Sequence, residues 1–318
     1  VQSRHINKVA SLLLGCPLAS MECRGSWRRK RCGGGSRSHS RSAAAAVTIT
    51  AAAIDGTGVA TFTGGAGNDS LTGGDGADVI DGRAGNDTIV GDEGADTIYG
   101  NTGNDTITDL DGDNTIRGRS GDDVITVGAG NDVIEASSGD NTIAAGDGDN
   151  IISTGVGHDV VSSGTGADNI KTSMGDDTIT AGAGDDFIDA GQGADTITGG
   201  DGRDHFIFGY DDFLDGYVDV IKDFEVGQLG DLLDLSDIHE KSLADGFGDA
   251  WAGAEWVHHH GYIGLSVEGD DTLVSYDQDG LYGDWSGVTF LRLEGVQLTS
   301  LSSHNVDPAP SDKLYMIE

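Results

Sequence analysis

The chain has 318 residues, a net charge of −36 and a pI near 4.1. A surface that acidic repels nucleic acid and anionic membrane and gathers cations, so a nucleic-acid partner is excluded. Fifty-three glycines against three prolines exclude a proline-stiffened linker and point to a backbone that needs positive φ at fixed places.

The first element is a basic leader. Residues 1–42 hold nine Lys/Arg and one acid, Glu22, whereas residues 43–318 hold nine basic and 53 acidic residues. All three cysteines, Cys16, Cys23 and Cys32, lie in this leader. Val9 to Leu14 is an apolar run behind Arg4 and Lys8, too short to span a membrane, and no membrane span is expected. Residues 1–46 are read as a disordered or non-native segment outside the fold, and 47–63 as a lead-in strand. The body has no cysteine, which suits export without disulfides, so something else must rigidify it.

From Gly64 to Ile207 the chain divides without insertion into 16 nine-residue units. The fourth position is Gly in every unit, from Gly67 to Gly202. The eighth is apolar in every unit, from Leu71 through Ile80 and Ile89 to Phe206. The sixth is Asp in thirteen units and Asn in three, Asn114, Asn141 and Asn150. The first six residues of a unit predict a tight turn and the last three a short strand, with the eighth side chain inward and the seventh and ninth outward. Two units make one coil of a parallel β-roll with a strand on each side, so 16 units predict eight coils. At roughly 4.8 Å per rung the stack is nearly 40 Å tall. Its core is a thin ladder of isoleucine from each side, too small alone to offset chain entropy.

The aspartates are expected to supply the rest. Turn n stacks on turn n+2, and each gap brings together carboxylates and turn carbonyls, the hard oxygen donors that Ca²⁺ prefers. The candidate carboxylate ligands are Asp69, Asp78, Asp87, Asp96, Asp105, Asp123, Asp132, Asp159, Asp168, Asp177, Asp186, Asp195 and Asp204. The candidate turn glycines are Gly64, Gly67, Gly73, Gly76, Gly82, Gly85, Gly91, Gly94, Gly166, Gly175, Gly184, Gly193 and Gly202. Sixteen turns leave 14 gaps, so up to about 14 Ca²⁺ are expected. Asn offers only a neutral carbonyl, so two strong calcium blocks, 64–126 and 154–207, are expected to flank a weaker middle. Folding and metal binding are expected to be one process.

The unit G-G-x-G-x-D-x-(Ile/Leu)-x resembles the RTX, or haemolysin-type, calcium-binding repeat, which forms a parallel β-roll. The resemblance implies a secreted protein, exported unfolded by a type I secretion machinery and folding outside the cell.

After Phe206 the composition changes, and 15 of the 19 aromatic residues lie from there to the end. The repeat is expected to stop at 205–209, and 208–318 to form a β-rich cap over the open end of the roll. DVIKDF (219–224), DLLDLSDI (231–238), TLVSYDQDG (272–280) and VTFLRLEGVQLT (288–299) resemble the secretion-target end of large RTX adhesins. An adhesin implies a surface or polysaccharide ligand. The alternative is the C-terminal module of an RTX protease, lipase or epimerase whose catalytic domain lies upstream.

No catalytic motif is recognised within the chain. His239-Glu240 is not followed by the spacing of a zinc protease, and no G-x-S-x-G elbow occurs. His258 to His260 read as a solvated loop, and Asp277 and Asp279 as a hairpin turn.

Overall fold

The computed structural model describes residues 46–50, 59–209, 212, 216–227, 229–235, 263–276, 287–297 and 306–307. The leader 1–45, His239, Glu240, His258 to His260, Asp277, Asp279 and the tail 308–318 lie outside the described residues.

The described residues contain strands and no helix. Two sheets run the length of a parallel solenoid, one of 13 strands and one of 11, and successive strands alternate between them as far as Leu232–Asp234. The register step is 18 residues. Ile89 pairs with Ile107, Ile107 with Ile125 and Ile125 with Ile143 in one sheet; Ile80 with Ile98 and Ile98 with Ile116 in the other. The expected parallel roll of eight coils is therefore the fold.

The eighth-position ladder forms the core. Leu71, Ile80, Ile89, Ile98, Ile107, Ile116, Ile125, Ile134, Ile170 and Ile179 are 0% exposed. Each fully buried Ile contributes about 1.5–3 kcal/mol from removed apolar surface.

Most strands are twice the expected length. Val79–Ala84, Thr106–Asp111 and Thr196–Asp201 cover six residues, running through positions seven to nine into the first three of the next unit. The pleat then turns the first position inward as well. From unit 127 to unit 190 this position holds Val127, Ala136, Ala145, Thr154, Ser163, Thr172, Ala181 and Ala190, all buried. The core is thus wider here than one isoleucine per rung.

The nine-residue spacing ends near 205–209, but the roll continues beyond it. Val220 and Ile221 of the strand Asp219–Ile221 pair with Thr196 and Ile197, and Leu232–Asp234 pairs with His205–Ile207, so the roll gains a rung on each side across longer connections. Only then does the topology change. Val288–Leu293 joins Asp219–Ile221 in parallel, and Asp271–Tyr276 and Ile263–Glu268 follow it antiparallel. Phe208 meets Phe290 edge-on at 5.9 Å, and Phe206 lies 6.0 Å from Phe224, so aromatic pairs pack where the roll gives way to this sheet.

Candidate metal centres

The sixth-position aspartates form rows of buried charge along the roll. All thirteen predicted carboxylates, from Asp69 to Asp204, are 3% exposed or less. Their two oxygens have different fates. Oδ1 accepts the backbone N–H of the sixth residue 18 positions earlier: Asp69 N–H donates to Asp87 at 2.7 Å, Asp87 to Asp105 at 2.7 Å and Asp159 to Asp177 at 2.7 Å. This charge-assisted ladder holds every side chain in one orientation.

Oδ2 turns inward over the first residue of its own unit. An ideal Cβ on Gly73 would stand 2.6 Å from Oδ2 of Asp78 and 2.5 Å from the carbonyl oxygen of Gly91, so glycine here leaves the space to oxygens. Oδ2 of Asp69, Asp78, Asp87, Asp96, Asp105, Asp123, Asp132, Asp159, Asp177, Asp186, Asp195 and Asp204 is buried with no hydrogen-bond partner. Asp168 is the exception, since Oγ of Ser163 donates to its Oδ2.

The fourth-position glycines close the turns. Gly94 has φ +132, and a Cβ there would stand 2.5 Å from the carbonyl oxygen of Gly76 in the turn beneath. Only glycine combines that φ with so close a backbone approach. Of the other predicted turn glycines, Gly76, Gly85, Gly166, Gly175, Gly184, Gly193 and Gly202 share the positive φ, while Gly64, Gly67, Gly73, Gly82 and Gly91 do not.

The three Asn units show what the inward position demands. Asn114, Asn141 and Asn150 each keep the ladder, with Oδ1 accepting the N–H of Asp96, Asp123 and Asp132 at 2.9, 3.0 and 2.9 Å. The inward atom is therefore Nδ2. Nδ2 of Asn141 donates to the Gly139 carbonyl at 2.8 Å, and Nδ2 of Asn150 to the Gly148 and Gly146 carbonyls at 3.0 and 3.3 Å. This corrects the expectation that Asn presents a weak carbonyl ligand. Its carbonyl is spent on the ladder, and a donor occupies the place where Asp puts an acceptor.

Electrostatics follow from this packing. Burial pushes Asp105, Asp195 and Asp204 up to about 7, and Asp78, Asp123, Asp177 and Asp186 up to about 6, with the ladder N–H opposing the rise. Asp87, Asp96, Asp132 and Asp168 rise for the same first cause. Among the described residues no three acidic, His or Cys side chains converge on one point, so any ion must draw on turn carbonyls besides carboxylate. The donor set fits a hard cation: oxygen only, anionic, buried and lacking a donor.

Besides Asp212, three buried acids escaped the sequence reading. Asp219 and Asp231 continue the ladder, accepting the N–H of Asp195 at 2.8 Å and of Asp204 at 3.0 Å. Their signal was the Asp-x-apolar triplet in Asp219-Val220-Ile221 and Asp231-Leu232-Leu233, hidden by the changed spacing. The third is Asp109, at the first position of its unit, pushed up to about 8 by burial and by the neighbouring Asp96.

A second, exposed ladder runs along the fifth position. The N–H of Asn86 donates to Oδ1 of Asn68, Asn104 to Asn86, Asp122 to Asn104, Asp140 to Asp122 and His158 to Asp140; Asp176 N–H then donates to Nδ1 of His158. The signal was the frequency of Asn and Asp at that position.

The described residues contain no helix long and apolar enough to cross a membrane. No curated protein matches the chain. The family model for the RTX calcium-binding nonapeptide repeat matches residues 55–89, 63–98, 81–108, 99–134, 110–143, 135–170 and 172–206. With the parallel solenoid and its rows of buried carboxylates, that match identifies residues 55–206 as an array of RTX calcium-binding nonapeptide repeats.

Proposed function

We propose that calcium is the folding switch of this chain, and that the chain is exported unfolded through a type I secretion machinery and becomes rigid outside the cell. The observation that carries the reading is the row of buried Oδ2 atoms from Asp69 to Asp204, Asp168 excepted, that have no hydrogen-bond partner. A buried carboxylate with an unmet oxygen costs several kcal/mol unless it is protonated or neutralised by a cation. Oδ2 and the turn carbonyls are the groups that would hold Ca²⁺, which when bound supplies the positive charge that the turns lack.

In a calcium-poor cytosol the carboxylates repel one another and favour the open chain, which is the form a type I exporter threads. Outside, millimolar calcium reverses the balance. The product is a stiff extracellular or surface rod. Residues 208–318 serve as its cap and secretion target, and the rod forms the end of an adhesin or other exoprotein directed at a surface or polysaccharide. Its work is binding and mechanical, not catalytic.

Co-expression with a type I exporter tests the export half. The chain is expected in the medium, and the chain lacking 208–318 is expected to stay inside. Equal retention of both would contradict it.

A further inference from the structure

The unit 109–117 departs from its neighbours twice. Its sixth residue is Asn114 where they carry Asp, and its first residue is Asp109 where the units from Gly64 to Gly118 otherwise carry Gly. The two changes are linked in space. Asp109 is 0% exposed, and neither of its carboxylate oxygens has a hydrogen-bond partner.

Its carboxylate points to the unit beneath. The place where a Cβ would stand on Gly91 is crowded by Oδ2 of Asp109, by its Cγ at 2.6 Å and by Oδ2 of Asp96 at 2.5 Å. Oδ2 of Asp96 is also unpartnered. The two units are stacked neighbours, with Thr97 in register with Thr115 and Ile98 with Ile116. Two buried carboxylates thus face each other across one glycine. Asn114 supplies no anion to this gap, because its amide is neutral and its Oδ1 accepts from Asp96 N–H.

Like charges this close are stable in a protein interior only with a cation or a proton between them. The pair offers three unpartnered hard oxygens, Oδ2 of Asp96 and both oxygens of Asp109, and no nitrogen or sulfur, which selects an alkaline-earth ion over a soft transition metal.

We propose that Asp96 and Asp109 hold a divalent cation of the calcium type, with the first-position carboxylate of Asp109 replacing the sixth-position carboxylate that Asn114 lacks. The site rests on the calcium reading above, and it restores a ligand in a gap that the repeat pattern alone counts as weak.

The test is a calorimetric count of bound ions, with calcium alone as the probe, on three 318-residue chains. These are the wild type, Asp109→Asn, and the double variant Asp109→Gly with Asn114→Asp. Asp109→Asn keeps the shape and removes the charge; it is expected to lose one bound ion and to need more calcium to fold. The double variant moves the carboxylate back to the sixth position and is expected to regain that ion. It also keeps the count readable should the single variant fail to fold. If Asp109→Asn binds as many ions as the wild type and folds at lower calcium, the pair shares only a proton and the site is overturned. If the double variant binds one ion fewer than the wild type, the replacement is overturned. A wild-type chain that binds no calcium overturns the general reading and this site together, so the two failures are told apart.

Discussion

Oδ1 of Asp105 accepts the backbone N–H of Asp87 at 2.7 Å, while Oδ2 of the same carboxylate is buried with no partner. One oxygen builds the roll and the other opposes it. Substitutions that separate these two roles are the most informative.

Asp105→Asn keeps the ladder, because the amide carbonyl can accept from Asp87 as Asn141 accepts from Asp123. It replaces the unmet acceptor with a donor. In chelator the variant is expected to be more stable than the wild type by about 1–3 kcal/mol, and in saturating calcium less stable. Asp105→Ala loses both roles and is expected to destabilise in both conditions. Urea unfolding with and without calcium reads the crossing.

Protons should substitute for calcium. The unfolded carboxyls titrate near 3.8, and burial raises Asp105, Asp195 and Asp204 to about 7 in the roll. The folded state therefore binds more protons between those values, so its stability is greatest at the acid end and falls as pH rises through about 7. In chelator, far-UV circular dichroism is expected to show β signal near pH 5 that is lost toward pH 8. The calcium needed to fold should rise over the same range, since the protons that neutralise the buried oxygens near pH 5 are gone by pH 8 and calcium must take their place. A chelated chain whose stability increases from pH 5 to pH 8 would contradict this.

The backbone of the turns makes opposite demands at two positions. Gly94→Ala places a methyl 2.5 Å from the Gly76 carbonyl at φ +132 and is expected to cost about 2–4 kcal/mol. Ser137 sits at φ +80 with a side chain present, so Ser137→Gly is expected to gain up to about 1 kcal/mol. Thermal unfolding in calcium measures both.

The fold was legible because each unit repeats a complete instruction. An inward apolar residue at every eighth position and a glycine at every fourth leave the chain one period, and the 18-residue register follows from it. What escaped the reading lay between units or within an amide. Asp219 and Asp231 hold the ladder across steps of 24 and 27 residues, so a search at fixed spacing passes over them. The six-residue strands form with Gly82 or Gly199 at the first position as well as with Ala136 or Ala181, so no residue type at that position announces them. The orientation of Asn150 is decided by the ladder, which takes the carbonyl and leaves the amine to Gly148. A sequence shows that Asn is polar, but not which end of the amide faces the turn.

The deciding measurement is a calcium titration of the 318-residue chain followed by far-UV circular dichroism, with magnesium as control. Magnesium holds its hydration shell and demands rigid octahedral sites, so it should not replace calcium in turns built from carboxylate and carbonyl oxygens. A cooperative rise of β signal with calcium, absent with magnesium, is the predicted result. A chain with full β structure in chelator at pH 7.5, unchanged by calcium, would contradict it and leave a preformed solenoid whose buried aspartates are neutralised by protons alone.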